Sequence, residues 1–212
     1  VPALLLYNRG IRDRDVAQAF LSPDERDSHD PFHLPDMEAA VARLADAVEG
    51  GEIIGVFGDF DTDGLTATAL LVKALKELGA TAIPYLPDRT DEGHGLNTLA
   101  IGSLRGQGIS LMITVDCGSS DVEEIELAST LGIDTIVTDH HVLPSIHPPA
   151  FALVNPSRKN SRYPYGELTG AGLSYKLVEA LWRFLGKGTP EHLMELAAIG
   201  TIADVGPLQG EN

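Results

Sequence analysis

The chain has 212 residues, of which 43% are apolar, and its 15 basic and 31 acidic residues give a formal net charge of −16. This length can bury a substantial core, and no apolar run approaches the roughly 20 residues needed to cross a bilayer. The charge argues against a protein that grips nucleic acid by bulk positive potential. Two interpretations remain: an acidic domain without a polyanionic partner, or acidic residues gathered around divalent cations.

The cellular compartment is predicted from the cysteine content and the termini. One cysteine, Cys117, excludes an internal disulfide and favours a reducing environment. Residues 1–7 are apolar but lack the basic leader and cleavage site of a signal peptide. We therefore expect a cytoplasmic protein without a membrane partner. The start at Val1 and the end at Asn212 lead us to expect a fragment of a longer protein.

The first 50 residues are predicted to be largely helical. Helices are expected over residues 11–21 and 37–48, the second ending at a pair of glycines. Residues 22–35 are rich in Pro, Asp and His, which is typical of a loop. Residues 1–50 are expected to form a helical segment packed on a domain made by residues 51–212.

From residue 51 onward, apolar runs that indicate strands alternate with helical patterns. Strands are predicted at residues 53–57, 81–86, 111–115, 135–138 and 151–154, and helices at residues 65–78, 97–106, 122–131, 172–185 and 190–199. This order predicts an α/β fold, a mostly parallel sheet of about five strands with helices on both faces. Ligands of such sheets bind beyond the carboxyl ends of the strands.

Three carboxylates follow the first predicted strand at alternate positions, Asp59, Asp61 and Asp63. They repel one another, and a divalent cation with a preference for oxygen ligands, Mg²⁺ or Mn²⁺, would remove that cost. A solvated polar loop is the plainer alternative. An EF-hand is excluded, because its twelfth position would be Leu70 instead of Glu and a strand precedes the loop.

More acidic and imidazole groups are predicted at the same edge. Asp116 follows the third strand, and Asp139, His140 and His141 follow the fourth. Asp204 lies after a helix among apolar neighbours, so we expect it to be buried and to need a cation or strong hydrogen bonds. Each acid alone could be a helix cap. Their convergence at one sheet edge favours a metal site.

Five motifs occur in a fixed order: Asp-x-Asp-x-Asp-Gly at residues 59–64, Val-Asp-Cys-Gly at 115–118, Asp-His-His at 139–141, Gly-Ala-Gly at 170–172 and Ala-Asp-Val at 203–205. This ordered set resembles the DHH phosphoesterase superfamily. Flanking stretches are similar to its RecJ branch, namely residues 8–11, 30–32, 87–89, 92–96 and 154–156. The similarity extends over nearly the whole chain.

The resemblance implies two bound cations, Mn²⁺ or Mg²⁺. The implied ligands are Asp59 and Asp61 for one cation, Asp63, His140 and Asp204 for the other, and Asp116 between them. Many relatives have a histidine where this chain has Phe57, and the RecJ branch shares that departure. Three residues are implied to be catalytic: Asp116, His141 as a donor to the scissile phosphate, and Asp139, which would orient an imidazole.

The function implied by the resemblance is 5′→3′ exonuclease action on single-stranded DNA, by direct attack of a metal-activated water, in DNA repair and recombination. Phosphodiesterases of oligoribonucleotides, cyclic dinucleotides or nucleoside bisphosphates remain an alternative, as does a non-catalytic DNA-binding replication factor. RecJ-like enzymes also carry a DHHA1-type domain and an OB-fold, which 212 residues cannot contain. The isolated fragment is therefore expected to be weak or inactive. Single-strand-binding protein or a helicase is a further candidate partner.

Substrate contacts are predicted at five residues: Arg89, His94, Arg158, Gly170 and Gly172. The first two lie in a glycine-rich loop after the second strand. Arg158 belongs to a basic stretch that also contains tyrosines, typical of single-strand contacts, although a solvated loop fits equally well. The two glycines open a helix whose amides would face a phosphate, with close helix packing as the alternative.

Overall fold

The structure is a computed structural model that describes residues 2–22 and 28–212. Its helices are α1 (Pro2–Asn8), α2 (Arg14–Leu21), α3 (Met37–Gly50), α4 (Thr62–Glu77), α5 (Thr98–Gly106), α6 (Val122–Thr130), α7 (Gly170–Phe184) and α8 (Met194–Ala203). Its strands are β1 (Ile53–Gly58), β2 (Thr81–Tyr85), β3 (Leu111–Val115), β4 (Asp134–Thr138) and β5 (Ala152–Val154). In these described ranges, no helix has both the length and the apolar character to span a membrane.

The five strands form one sheet in the order β2-β1-β3-β4-β5, and every neighbouring pair is parallel. The predicted α/β fold is therefore confirmed. The chain adds β2 on one side of β1 and then β3 on the other side. The connections after β1 and β3 consequently diverge, which opens a crevice beyond the carboxyl ends of these two strands.

Successive strand residues supply two separate cores, because side chains alternate between the faces of the sheet. Ile54, Val56 and Ile113 are fully buried against the face covered by α3, α4, α7 and α8. Phe57 and Met112 are fully buried on the opposite face, under α5 and α6. Each such side chain contributes about 1.5–3 kcal/mol through burial, which makes the sheet a rigid support for its carboxyl edge.

The N-terminal helices differ in how they pack. The predicted helix at residues 11–21 is α2, which begins after Asp13, whose carboxylate accepts hydrogen bonds from the backbone amides of Asp15 and Val16. Helix α1 was not predicted, and none of its residues is buried. By contrast, α3 buries six residues in the same core as the sheet. A domain boundary at residue 50 stays a prediction, and residues 23–27 of the predicted loop lie outside the described residues.

Helices α4, α7 and α8, like α2, begin at residues other than those predicted. Helix α4 begins at Thr62, since the Asp61 carboxylate caps it by accepting the amide of Gly64 at 3.0 Å. Helix α7 begins at Gly170, after the N-cap Thr169. A short 3-10 turn, Glu191–Leu193, occupies the start predicted for the last helix, so α8 begins at Met194 and extends to Ala203.

Candidate metal centre

The acidic residues converge because β1, β3 and β4 are adjacent and all end at the same edge. Asp59, Asp61 and Asp63 follow β1, Asp116 follows β3, and the Asp-His-His motif follows β4. Asp204, at the end of α8, reaches the same place, because α8 packs against α4 and α7 on that face of the sheet. Three groups of side chains with metal-ligand spacing result, and one of them, Asp116, His140 and His141, shares a residue with each of the other two.

The first group consists of Asp59, Asp61 and Asp116, which each offer a carboxylate oxygen within 4.8 Å of the others. Asp59 Oδ1 is buried without a hydrogen-bond partner among the described residues. Asp116 has a backbone φ of 62°, uncommon for a residue other than glycine. The tight turn after β3 thus directs this carboxylate into the crevice.

The second group consists of Asp63, His140 and Asp204. His140 Nε2 lies 3.9 Å from an oxygen of each carboxylate and 3.1 Å from Oδ1 of Asp116. Neither His140 Nε2 nor Asp116 Oδ1 makes an aligned hydrogen bond within the described chain, and both atoms are buried. Buried donors and acceptors are nearly always satisfied, so these orphaned atoms fit a bound cation.

The protonation equilibria reflect the crowding of negative charge. Burial, together with repulsion from Asp63 and Asp61, raises the pKa of Asp116 to about 7. Burial also raises the pKa of Asp63, although two backbone hydrogen bonds and His140 oppose the shift. Carboxylates forced together in a low-dielectric site favour protonation unless a positive charge joins them. The donor set of carboxylate oxygens and one imidazole suits Mn²⁺ or Mg²⁺.

Asp63 is held by the amino terminus of α7. Its carboxylate accepts the amides of Gly170 at 2.6 Å and Ala171 at 2.9 Å. Glycine is required at position 170, because a Cβ there would lie 2.7 Å from Cγ of Asp116. The amide of Gly172 points to Oγ1 of Thr169 at 3.4 Å.

The phosphate contact expected at this turn stays a prediction. The amides of Gly170 and Gly172 both face protein oxygens, an arrangement that favours the alternative of close helix packing. Gly200 of α8 makes a similar approach, since a Cβ there would lie 2.5 Å from Oδ1 of Asp63. Helices α7 and α8 thus both pack closely against the carboxylate of Asp63 in α4.

Asp139 orients His141. Its Oδ1 lies 2.7 Å from Nδ1 of that imidazole, and its Oδ2 accepts the amide of Ser119 at 2.9 Å. Burial alone would raise the pKa of Asp139, but the hydrogen bonds from His141 outweigh it and lower the pKa to about 2. The same contact raises the pKa of His141 to about 9, so this exposed imidazole is a cation at neutral pH.

The expectation that Asp204 is buried is wrong. Its side chain is 32% exposed, and its apolar neighbours Ile202 and Val205 are 63% and 87% exposed. Helix α8 presents Ala197, Gly200 and Thr201 to the core and turns these neighbours outward. The carboxylate still reaches the second group, through its position at the end of the helix.

Two of the predicted substrate contacts lie beside the first group. His94 Nδ1 is 3.2 Å from Oδ2 of Asp59, and its ring centroid lies 4.3 Å from that of Phe60. The guanidinium of Arg89 lies 5.3 Å from the same Phe60 ring. Arg158 is instead engaged with the carboxylate of Asp36 and donates to the Leu153 carbonyl at 2.7 Å, so its charge is used within the fold.

Four supporting residues were missed by sequence reasoning. Ser119 and Asn155 fix the loops after β3 and β4, since the Asn155 amide donates to the Ser119 hydroxyl at 3.2 Å and to the His141 carbonyl at 3.0 Å. Thr169 caps α7. For Thr169 the available signal was a threonine shortly before a predicted helix, and for Gly200 it was an isolated glycine within an apolar helix.

Residues 53–201, which include every strand and all but one of the proposed ligands, match the model of the DHH family, N-terminal domain. The chain belongs to the DHH family. It is 42% identical over 210 residues to the single-stranded-DNA-specific exonuclease RecJ of Bacillus subtilis, covering 99% of this chain and 26% of that protein. It is 39% identical to RecJ of Escherichia coli, covering 84% of this chain and 33% of that protein.

Solved structures agree with this membership. RecJ from Thermus thermophilus in complex with Mn²⁺ is 34% identical, with a TM-score of 0.79, over 99% of this chain and 29% of that chain. The DHH domain described here thus has a RecJ-like fold. It spans between a quarter and a third of the length of these relatives.

Proposed function

We propose that this DHH domain is the metal-binding catalytic part of a 5′→3′ exonuclease that hydrolyses single-stranded DNA. One observation carries the proposal. The two groups of potential metal ligands adjoin where Asp116 Oδ1 lies 3.1 Å from His140 Nε2, and three ligand atoms are buried and unsatisfied: Asp59 Oδ1, Asp116 Oδ1 and His140 Nε2. An acid cluster that served folding alone would satisfy these atoms within the protein.

Similarity to RecJ supports the substrate and the metals. The relatives are named single-stranded-DNA-specific exonucleases, and RecJ structures contain Mn²⁺ or Mg²⁺. We extend both properties to this chain, with Asp59 and Asp61 holding one cation, Asp63, His140 and Asp204 the other, and Asp116 both. A role in DNA repair and recombination, a cytoplasmic location and contact with single-strand-binding protein or a helicase are proposed on the same basis.

The residues would divide the chemistry as follows. Bound cations supply a water of lowered pKa and stabilise charge on the attacking and leaving oxygens. The ligand residues would hold the cations at the carboxyl edge of the sheet. His141 donates from its exposed imidazole nitrogen to an oxygen of the scissile phosphate, and Asp139 keeps it oriented and protonated. Arg89 and His94 lie where the strand would pass beside Phe60.

The strong negative charge is consistent with a longer protein in which this domain binds the metal ions and other parts bind most of the DNA. Bound cations offset part of the −16 at the site itself. Most of the grip on the DNA backbone would come from parts beyond this chain, such as a DHHA1-type domain and an OB-fold, since the chain spans only 26% of the Bacillus subtilis relative. This domain alone is accordingly proposed to bind metal but to hydrolyse DNA weakly.

Calorimetric titration with Mn²⁺ tests the centre. The unmodified chain should bind two ions, and Asp116→Ala should lose most of that binding, because this carboxylate belongs to the first group and lies 3.1 Å from His140 of the second. Asp46→Ala removes an equally charged but exposed side chain of α3 and should bind as the unmodified chain does. Absence of saturable binding in the unmodified chain would contradict the proposed centre.

The reaction is tested on the full-length protein with single strands labelled at either end. Shortening from the 5′ end is expected, with His141→Ala slowing turnover by about 100-fold or more while Mn²⁺ binding persists. Cleavage of dinucleotides without cleavage of longer strands would contradict the proposal that single-stranded DNA is the substrate. Unchanged turnover in His141→Ala would contradict the proposed role of that imidazole.

A further inference from the structure

A second buried charge network lies near the carboxyl end of the chain, outside the metal centre. The side chains of Glu211 and Lys176 are only 6% and 4% exposed, and they form an ion pair. The Glu211 carboxylate also accepts the Tyr163 hydroxyl at 2.6 Å and the amide of His29 at 3.0 Å. The Lys176 ammonium donates to the carbonyl of His29 at 3.1 Å.

Such a network fixes the chain at residue 211 firmly. Burying two charges is costly unless each is paired and hydrogen-bonded, and removing one partner leaves the other uncompensated. Here Glu211 contacts Lys176 of α7 and two loop residues, Tyr163 and His29. The position of residue 211 is thus defined relative to the core of the domain.

The seven residues 205–211 connect this anchor to Asp204. Val205 has a φ of 58° and an 87% exposed side chain, so its own packing does not explain a conformation that β-branched residues avoid. The next residues are held by the Gly206 amide, which donates to Thr201 at 3.0 Å, and by the Pro207 carbonyl, which accepts the Tyr165 hydroxyl at 3.3 Å. Strained backbone of this kind persists only where surrounding contacts impose it.

We infer that Glu211 is a positioning residue for Asp204: its buried contacts hold residues 205–211 so that the Asp204 carboxylate stays beside His140 and Asp63. This inference rests on the proposed metal centre and adds a residue that contacts neither cation. Among the described residues, no hydrogen bond or ion pair joins residues 205–211 to the first group, Asp59, Asp61 and Asp116. Loss of the anchor should therefore weaken one cation site and spare the other.

The test is Mn²⁺ calorimetry on Glu211→Gln, which preserves the shape of the side chain and removes its charge. One site should keep its affinity and the second should weaken about tenfold or more, the usual effect of altering a residue that supports a ligand. Glu179→Gln is the matched control. Glu179 also contacts the Lys176 ammonium, at 3.0 Å, but lies on α7 instead of the 205–211 segment, so both sites should persist.

Hydrogen exchange in metal-free protein gives an independent measurement. The amides of Val205 and Gly206 should exchange faster in Glu211→Gln than in Glu179→Gln. If Glu211→Gln does not fold, Tyr163→Phe removes a single hydrogen bond to the anchor and should weaken the second site alone. Equal weakening of both sites, unchanged sites, or the same loss in the control would overturn the inference. Failure of the unmodified chain to bind two ions would instead overturn the metal centre.

Discussion

At the scale of single residues, the acid centre contains carboxylates with opposite energetic roles. Asp63 accepts two backbone amides from α7, and these hydrogen bonds oppose the rise in its pKa that burial causes. Asp59 has one oxygen without any partner among the described residues and faces other carboxylates. The two residues are four apart in sequence, yet only Asp63 is integrated into the hydrogen bonding of the core.

Neutralising these two carboxylates should change stability in opposite directions. In metal-free protein, Asp59→Asn relieves repulsion and should raise the free energy of unfolding slightly. Asp63→Asn places an amide donor against backbone donors and should lower it by about 1–3 kcal/mol. Urea unfolding with a chelator present measures both values. Equal effects of the two changes would contradict the distinction.

The thiol of Cys117, next to Asp116 in sequence, should be inert. Burial, with the neighbouring carboxylates Asp139 and Asp121, raises the pKa of Cys117 well above its usual range, and the side chain lies in the core beneath α5 and α6. Thiolate is the reactive form, so the native protein should react with a disulfide reagent at pH 8 only as fast as it unfolds. Absorbance of the released thiol, compared with the same reaction in denaturant, measures the difference. Fast native labelling would indicate an accessible thiol.

At the scale of elements, the metal centre depends on how closely α4, α7 and α8 approach one another. Glycines make that approach possible: Gly170 faces Asp116, and Gly200 faces Asp63. Gly170 is the first residue of α7, whereas Gly200 lies inside α8, where glycine is otherwise unfavourable by roughly 0.5–1 kcal/mol relative to alanine. The close approach of helices therefore outweighs helix propensity at Gly200.

Gly170→Ala should be destabilising and should impair metal binding, because its Cβ would overlap the side chain of Asp116. Gly102→Ala, in the exposed part of α5 with open space around it, is the matched control and should stabilise the protein by about 0.5–1 kcal/mol. Thermal unfolding and Mn²⁺ titration of both variants provide the comparison. A Gly170→Ala variant as stable and as metal-competent as the unmodified chain would exclude the proposed close approach.

The accuracy of the sequence-based predictions varies among elements for physical reasons. Strands β1 and β3 are runs of apolar residues between turns, and the parallel order follows from their alternation with helices, so the meeting of Asp59 and Asp116 was predictable. The start of α7 and the environment of Asp204 depend on contacts between helices distant in sequence. Apolar neighbours suggested burial for Asp204, but only the packing of α8 determines which of its faces is outward.

At the scale of the whole molecule, the domain combines a neutral, well-packed interior with a concentration of negative charge at one sheet edge. The two apolar cores lie on opposite faces of the sheet. The cost of the acid cluster is offset only in part by hydrogen bonds, since burial and mutual repulsion raise the pKa values of Asp63 and Asp116. Metal binding should consequently stabilise the entire fold.

Saturating Mn²⁺ should raise the melting temperature of the chain. At a free concentration 100 times the dissociation constant, linkage gives about 2.7 kcal/mol, or a shift of roughly 5–10 °C for a domain of this size. Asp116→Ala should show little of this shift, whereas Asp46→Ala should show all of it. Scanning calorimetry with Mn²⁺ or with a chelator measures the effect, and an equal shift in Asp116→Ala would point to binding elsewhere.

The attachment of Asp63 to the first turn of α7 has a consequence for how the domain can change over evolution. In a lineage that no longer needed hydrolysis, substitutions at Asp59 would be tolerated early, because among the described residues its carboxylate hydrogen-bonds only to the exposed imidazole of His94. Asp63 would be retained long after activity had disappeared, since its loss leaves two helix amides without an acceptor. If an inactive descendant kept only this aspartate, its retention would reflect a structural requirement of the domain and would not be evidence of catalytic activity.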